Sequence, residues 1–398
     1  TANAVSTQLT ANNITNIEIF DYRATGGGNL DFDSAGSATQ FKFTNISGAS
    51  DFSDVRLTDT IEFVNAGASL DTSITYNATN VAGTADAHTI TLNGVSAGAD
   101  IALVGDVETV TVDVDAAASL ADLDFDNLTT ALSVDAGAAF TVTNQITMAN
   151  VTSLTITGSG AVDTDAAAFG TSLTTLNASA ATGTQSYLMG AANTTITTGS
   201  ANDVVDMSTT LTNRDTIDLG EGTDTLRVDV SGLSAGSTDL SISNVETLRM
   251  DNVGTNGALQ MDNLSFTDMR FDSGAASSET ITLTDIASTI NTFSFLGAGT
   301  ADADLLFDAV TFDYDVTATQ AAATITVNNG GAVADDISIG KLDMNRIEAI
   351  TITATEIGAA AADQLTIAEI EADHTTDIVV SANGELVLSD LDTALLDT

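Results

Sequence analysis

The chain lacks cysteine, proline and tryptophan, and it has only two histidines among its 398 residues. The absence of cysteine excludes disulfide bonds, thiolate metal sites and thiol nucleophiles. The two histidines, His88 and His374, lie too far apart in the sequence to predict a histidine-rich metal centre, and we expect both on the surface or in turns. The absence of proline leaves every backbone N–H able to join a sheet, which suits closely stacked strands.

Positive charge is also scarce. Nine basic residues face 55 acidic ones, and the formal net charge is −46. This charge repels nucleic acids and anionic lipids, so we expect neither as a partner. No apolar run reaches the about 18 residues that a membrane-spanning helix needs, and we predict no membrane span. Because the first residue is Thr1 rather than methionine, we expect a processed product or a fragment.

Short alternating apolar segments repeat at a constant step. Hydrophobic residues make up 43% of the chain, which is more than disordered acidic chains contain. Alternation with a period of two residues predicts strands with one buried face. The step is 22 residues in one series and 22 then 21 in another, and a step this constant predicts an all-β chain wound as a parallel β-solenoid. The first series starts at Val110, Leu132, Leu154 and Leu176, and the second at Leu226, Leu248 and Met269, with less regular later members at Phe293 and Ile350.

This repeat defines three regions of the chain. We predict the solenoid at 101–300 and a separate β region at 1–100, where the repeat is missing. The stretch 301–398 is predicted to be β-rich, as a continuation of the solenoid with a short helix in the alanine-rich segment 358–372. The alternative fold is a string of antiparallel β-sandwich domains, but sandwich strands do not repeat in register at 22 residues.

The density of carboxylates predicts a cation partner. Carboxylates repel each other unless they are neutralised, and Ca²⁺ prefers hard carboxylate and carbonyl oxygens. One segment, 198–226, combines glycines that turn the chain with carboxylates at matching offsets. The alternative is that these turns keep the pattern without binding an ion. The predicted calcium ligands are Gly199, Asn202, Asp203, Asp206, Asp218, Gly220, Gly222 and Asp224.

The same segment carries a family resemblance. Its two halves resemble the RTX nonapeptide G-G-x-G-x-D-x-U-x, with Asp203 and Asp224 at the aspartate position and Val205 and Leu226 at the apolar position. Over 190–275, with the strand Val-Glu-Thr-Leu that ends at Leu248, the chain resembles RTX-related bacterial surface-layer (S-layer) proteins. The resemblance implies secretion to the cell surface, bound calcium and calcium-dependent assembly with other copies into a lattice. RTX-type repeats also occur in adhesins, so a calcium-stabilised adhesin or an extracellular filament subunit, with a surface polysaccharide as partner, is the alternative.

Three of the nine basic residues occupy equivalent places on successive repeats, each followed two residues later by an aspartate. One interpretation is an intramolecular arginine–aspartate ladder, in which each pair contributes little to stability. The other is a basic strip that docks on an acidic face of a neighbouring subunit. The predicted interface residues are Arg227, Arg249 and Arg270 with Asp229, Asp251 and Asp272.

We expect no enzymatic activity. The chain has no Gly-x-Ser-x-Gly elbow, no His-Glu-x-x-His motif and no P-loop. Aspartate pairs occur in so many turns that a pair alone does not indicate a glycosidase. A glycan-binding adhesin would need an exposed aromatic platform, for which the candidates are Tyr22, Tyr76, Tyr187 and Tyr314.

Overall fold

The computed structural model describes residues 18–23, 26–35, 38–190, 193–229, 240–251, 257–261, 264, 266–272, 279–296, 305–314, 322–328, 337–355, 365–383 and 386–392. These residues form 31 strands and one short 3-10 helix, and they contain no α-helix, so the predicted all-β class is confirmed. The chain divides into two compact units. We call them the first unit (1–205 with 219–222) and the second unit (206–218 with 223–398).

The first unit is a parallel β-solenoid with two stacks of strands. One stack runs β1-β3-β5-β7-β8-β9-β11-β13-β15, and the other runs β2-β4-β6-β7-β8-β10-β12-β14, because the long strands β7 and β8 take part in both. The elements are β1 Ile19–Arg23, β2 Leu30–Asp31, the 3-10 helix Phe32–Ala35, β3 Gln40–Thr44, β4 Gly48–Val55, β5 Thr60–Ala66, β6 Leu70–Tyr76, β7 Ala87–Val104, β8 Thr109–Phe125, β9 Ala131–Ala136, β10 Phe140–Thr147, β11 Ser153–Gly158, β12 Val162–Thr164, β13 Thr175–Ala181, β14 Gln185–Leu188 and β15 Thr195–Thr197, followed by β16 Val204–Asp206.

The second unit is built in the same way. One stack runs β18-β20-β22-β24-β26-β28-β30, the other runs β21-β23-β25-β27-β29-β31, and β17 pairs with β19. The strands are β17 Thr216–Asp218, β18 Thr225–Asp229, β19 Ser241–Ser243, β20 Thr247–Asp251, β21 Gly257–Gln260, β22 Asp268–Asp272, β23 Glu279–Ile286, β24 Thr292–Leu296, β25 Leu305–Tyr314, β26 Ala323–Asn328, β27 Ile337–Asn345, β28 Ala349–Thr355, β29 Leu365–Glu371, β30 Asp377–Ala382 and β31 Leu386–Asp392.

The strand register confirms the predicted repeat. The four members of the first series pair directly with one another on β8, β9, β11 and β13, and each is at most 4% exposed. In the second series Met269 pairs with Phe293, and the row continues through Ile325 to Ile352 rather than to Ile350. Alternate residues of each strand therefore form continuous buried rows, which is the arrangement that the period of two predicts.

Small residues at one corner of the first unit allow the coils to stack closely. Gly158 has a φ of +99°, which favours glycine, and it lies above Ala136. A Cβ added at Gly158, Gly160 or Gly183 would overlap a carbonyl group of the preceding coil. The glycine and alanine content of these turns is therefore required by the distance between coils.

The predicted boundary at residue 100 falls inside β7, and the described strands from β1 onward belong to the same parallel stacks as the repeat. The repeat is hard to see here because Ile61 pairs with Ile90, so the loop 77–86 lengthens the step. The predicted boundary at 300 lies outside the described residues. On either side of it β24 and β26 pair in register, as expected for a continuation of the solenoid.

The short helix predicted at 358–372 is wrong for the part that the structure describes. Residues Leu365–Glu371 form strand β29, while 356–364 lie outside the described residues. Leu365 and Ile367 are buried and pair with Ile337 and Ile339 of β27. Tertiary pairing with an apolar row thus outweighs the helix preference of the neighbouring alanines.

Candidate functional site

Asp203 is the first aspartate of the RTX-like segment, and it precedes β16 in the first unit. Its side chain is 1% exposed. One carboxylate oxygen accepts a hydrogen bond from the N–H of Gln185 at 2.8 Å, and the other accepts one from the N–H of Gly199 at 3.3 Å. Burial raises the pKa of Asp203, and these hydrogen bonds together with that of Thr198 oppose the rise. Asp203 therefore closes a turn by binding backbone donors.

The glycines of the segment lie where coils touch. A Cβ added at Gly199 would overlap the carbonyl oxygen of Ala181, and one at Gly220 would overlap the carbonyl oxygen of Gly199. Gly220 and Gly222 also have positive φ angles of +82° and +147°. The Thr198 hydroxyl donates to the carbonyl oxygen of Leu219 at 2.6 Å, which ties two coils together. Asn202 is exposed.

The other predicted ligands belong to the second unit. Asp206 accepts the N–H of Ser208 at 2.7 Å and lies 3.3 Å from a terminal guanidinium nitrogen of Arg227. Burial raises the pKa of Asp206, and the Arg227 charge opposes this rise. Asp218 accepts a hydrogen bond from the Asn244 amide at 2.7 Å. Asp224 is completely buried.

The donor chemistry of these residues fits calcium in part. All of them offer hard oxygens, which is the ligand type that calcium takes. In the described part of the chain, however, no group of three or more Asp, Glu, His or Cys side chains is placed to hold a metal ion. A calcium ion in this segment would therefore need backbone carbonyl oxygens beside single carboxylates. The assignment of the eight ligands stays a prediction.

The three arginines lie in register, with Arg227 beside Arg249 and Arg249 beside Arg270. Two of them already bind Asp251 within the second unit. Arg227 approaches one Asp251 oxygen at 2.8 Å, and Arg249 approaches the other at 2.8 Å. Asp229 pairs in register with Asp251, and Asp272 ends β22. The intramolecular ladder accounts for the first two arginines, and docking of a neighbouring subunit stays a prediction.

The sequence analysis used the Val-Glu-Thr segments only for the family resemblance, but they have a structural task. The Glu108 carboxylate accepts the N–H of Asp86 at 2.8 Å, and the Glu246 carboxylate accepts the N–H of Asp224 at 2.7 Å. In both cases the glutamate reaches back one coil and satisfies a turn donor. The recurrence of the same three residues at 107–109 and 245–247 was the signal for this role.

A second feature missed from the sequence is a column of aspartates on the first unit, which we call the aspartate column: Asp71, Asp100 and Asp122. Asp71 pairs with Asp100, and Asp100 pairs with Asp122 on three successive coils. Burial raises the pKa of Asp100, and the charges of Asp122 and Asp71 raise it further. Like charges directly opposite on neighbouring strands destabilise a sheet. The irregular step between Asp71 and Asp100 hid this column in the sequence.

His88 was predicted on the surface or in a turn, and this prediction is wrong. It lies in β7 with 4% exposure, because its strand position alternates inward with Ile90. One ring nitrogen lies 2.9 Å from the Tyr76 hydroxyl, and the other lies 2.7 Å from the carbonyl oxygen of Asp59. Burial lowers the pKa of His88 below its usual value. His374 lies exposed in a turn, as expected.

The buried His88 predicts a stability loss in acid. Because its pKa is lower in the folded chain, the unfolded chain binds the proton first, and the contribution of His88 is lost as the pH falls below about 6.5. Tyr76 and Asp59 are the groups that face the ring, and Arg56 pairs with Asp59 at 2.9 Å. We expect wild type to lose stability relative to His88→Gln between pH 7 and pH 5 in urea unfolding. The variant His374→Gln should track wild type, and a constant difference between wild type and His88→Gln would contradict this role.

The tyrosines do not form a glycan platform. Tyr76, Tyr187 and Tyr314 are at most 4% exposed, and Tyr22 is half-buried with its ring 6.3 Å from that of Phe43. Over the described ranges, no aromatic side chain is among the exposed large hydrophobic ones. In the same ranges, no helix is long and apolar enough to cross a membrane.

Comparison of the chain with protein-family models, curated proteins and solved structures finds no match. The resemblance to S-layer proteins therefore rests on the residues of the 190–275 segment, and the parallel β-solenoid architecture rests on the strand register.

Proposed function

We propose that this chain is a secreted, calcium-binding structural protein that assembles with copies of itself into a cell-surface layer. The aspartate column is the observation that carries the proposal. It stacks three carboxylates on adjacent coils of a chain with a net charge of −46. The RTX-like segment and the resemblance to S-layer proteins support the same function.

Calcium suits this column for an electrostatic reason. Carboxylates on adjacent parallel strands are held about 4.8 Å apart, and in water they can be screened but not separated. A divalent cation that takes several oxygen ligands neutralises two such carboxylates at once. Because an ion bound only by the folded chain stabilises it by mass action, calcium would make the coils more stable and would lower the repulsion between copies.

The carboxylates of the RTX-like segment support a structural role over a catalytic one. Asp203 binds backbone N–H groups, Asp206 pairs with Arg227, and Asp218 binds Asn244. A carboxylate held in this way orders a turn and has little freedom to move a proton. The chain would therefore present rigid coils to its neighbours.

The test of this function uses calcium, chelator and a matched variant. We expect wild type to form ordered sheets in electron micrographs at millimolar calcium and to dissolve in chelator. We expect Asp100→Asn with Asp122→Asn to be more stable than wild type in chelator, by a few tenths to about 1 kcal/mol, and to gain less from calcium. The control is Asp106→Asn, an exposed turn aspartate. A protein that stays monomeric with calcium would overturn the assembly proposal, and an unchanged calcium response in the double variant would remove the column from it.

A filament is the second candidate, and a specific observation favours it. Strands β30 and β31 each pair along one edge only within the described residues. An open strand edge can pair with another chain.

A further inference from the structure

The last coil of the second unit exposes an unusual amount of apolar surface. Val379, Val380, Leu388 and Leu391 are 59%, 44%, 40% and 47% exposed, and all four lie on β30 and β31. Elsewhere in the described ranges, large exposed hydrophobic side chains occur singly, at Ile19, Val104 and Leu128. We call the surface of β30 and β31 the end coil.

The exposed residues continue rows that are buried one coil earlier. Val380 pairs with Ile352, which is fully buried, and Leu388 pairs with Ile367, which is 1% exposed. Leu391 likewise pairs with the buried Ile370. Val380, Leu388 and Leu391 also line one groove with Ile378 and Ile370. These side chains would become core if another strand pair lay upon them.

We propose that the end coil binds the end coil of a second copy of this chain across a two-fold axis. The surface is self-complementary, because apolar side chains meet apolar side chains and the open edges supply both N–H donors and carbonyl acceptors. A two-fold axis reverses the partner strand, and antiparallel pairing satisfies these groups. The exposed apolar residues are concentrated on this coil, which favours the same coil as its own partner. The inference rests on the proposed self-assembly and names one of its contacts.

Charge makes this contact depend on cations. Asp377 and Asp390 line the groove beside the apolar residues, and Asp392 ends β31. A two-fold axis brings both sets of aspartates together, and like charges oppose association. The dimer should therefore be weak in chelator at low salt and stronger with calcium.

Sedimentation velocity with matched lysine variants tests the contact. We expect wild type to dimerise in calcium, and Val380→Lys with Leu388→Lys to weaken the dimer by roughly tenfold or more. Because both side chains are exposed, the variant should fold, and circular dichroism checks this. The control is Val104→Lys with Leu128→Lys, which changes exposed residues of similar type elsewhere and should dimerise as wild type does. Equal dimerisation of the end-coil variant would overturn the inference.

A single cysteine gives an independent test, since the chain has no other thiol. Leu388→Cys should react with a thiol reagent in chelator and should form disulfide-linked dimers when oxidised in calcium. A thiol that is protected in the monomer would show that other parts of the chain cover the end coil, and this would overturn the inference. If wild type forms ordered sheets and the end-coil lysine variant forms them equally well, this contact fails while the proposed function stands. If dimers form but no sheet or filament does, the contact stands and the proposed function fails.

Discussion

Replacement of Asp203 by alanine should lower the free energy of unfolding of the first unit by about 3 kcal/mol or more, even in chelator. The carboxylate is buried and accepts the N–H groups of Gln185 and Gly199. Alanine leaves both donors inside the turn without this acceptor, and each buried donor without a partner costs about 1–3 kcal/mol. Urea unfolding followed by circular dichroism measures the loss.

This experiment separates a turn-closing aspartate from a calcium ligand. Asp203→Asn keeps one acceptor oxygen and should lose less than alanine, while Asp106→Ala changes an exposed aspartate and should lose little. If Asp203→Ala matched wild type in chelator and differed only when calcium was added, Asp203 would act through the ion. The hydrogen bonds seen at this turn would then have no weight in its stability.

Replacement of Phe43 by alanine should cost about 3–5 kcal/mol. Phe43 is completely buried in the first unit, and its ring is stacked at 4.2 Å on that of Phe52. The rings of Phe63 and Phe32 lie 5.7 and 6.4 Å away. The substitution leaves a cavity of phenyl size between coils, and the backbone ladders on both sides limit how far the coils can close it.

Amide hydrogen exchange shows how far this damage spreads. In stacked repeats each coil is stabilised by its neighbours, so protection should fall in β5 and in β7, beyond the predicted boundary at residue 100. Phe20→Ala is the control, because Phe20 is half-buried on β1, which has one paired edge in the described residues. A loss of protection that stopped before Ala87 would restore the separate N-terminal region that the sequence predicts.

The sequence predicts the parts of this fold that repeat at a constant step. The row through Leu132 and Leu154 follows from spacing alone, because each coil there has the same length. The coils before residue 100 are missed because a single loop lengthens the step from Ile61 to Ile90. A period is visible in a sequence only while loop lengths stay constant, but strand pairing tolerates loops of any length that close the coil.

The candidate sites show a similar division. The arginine register at Arg227 and Arg249 is predictable, since both lie in the regular part of the repeat. The stacking of Asp71 on Asp100 is not, because it crosses the lengthened loop. The roles of Glu108 and His88 depend on which backbone groups need partners in the folded turn, and spacing carries no information on that.

The direction of the hydrogen bonds within each stack has a mechanical consequence. In the first unit, bonds between coils run along the stack from β1 to β15, so a pull along that direction loads the bonds of one interface at a time. Such a pull would peel coils away in sequence at low force. A pull along the strands would shear all bonds of an interface together and meet a much higher resistance. A material woven from these units would therefore stretch easily in one direction and resist in the other.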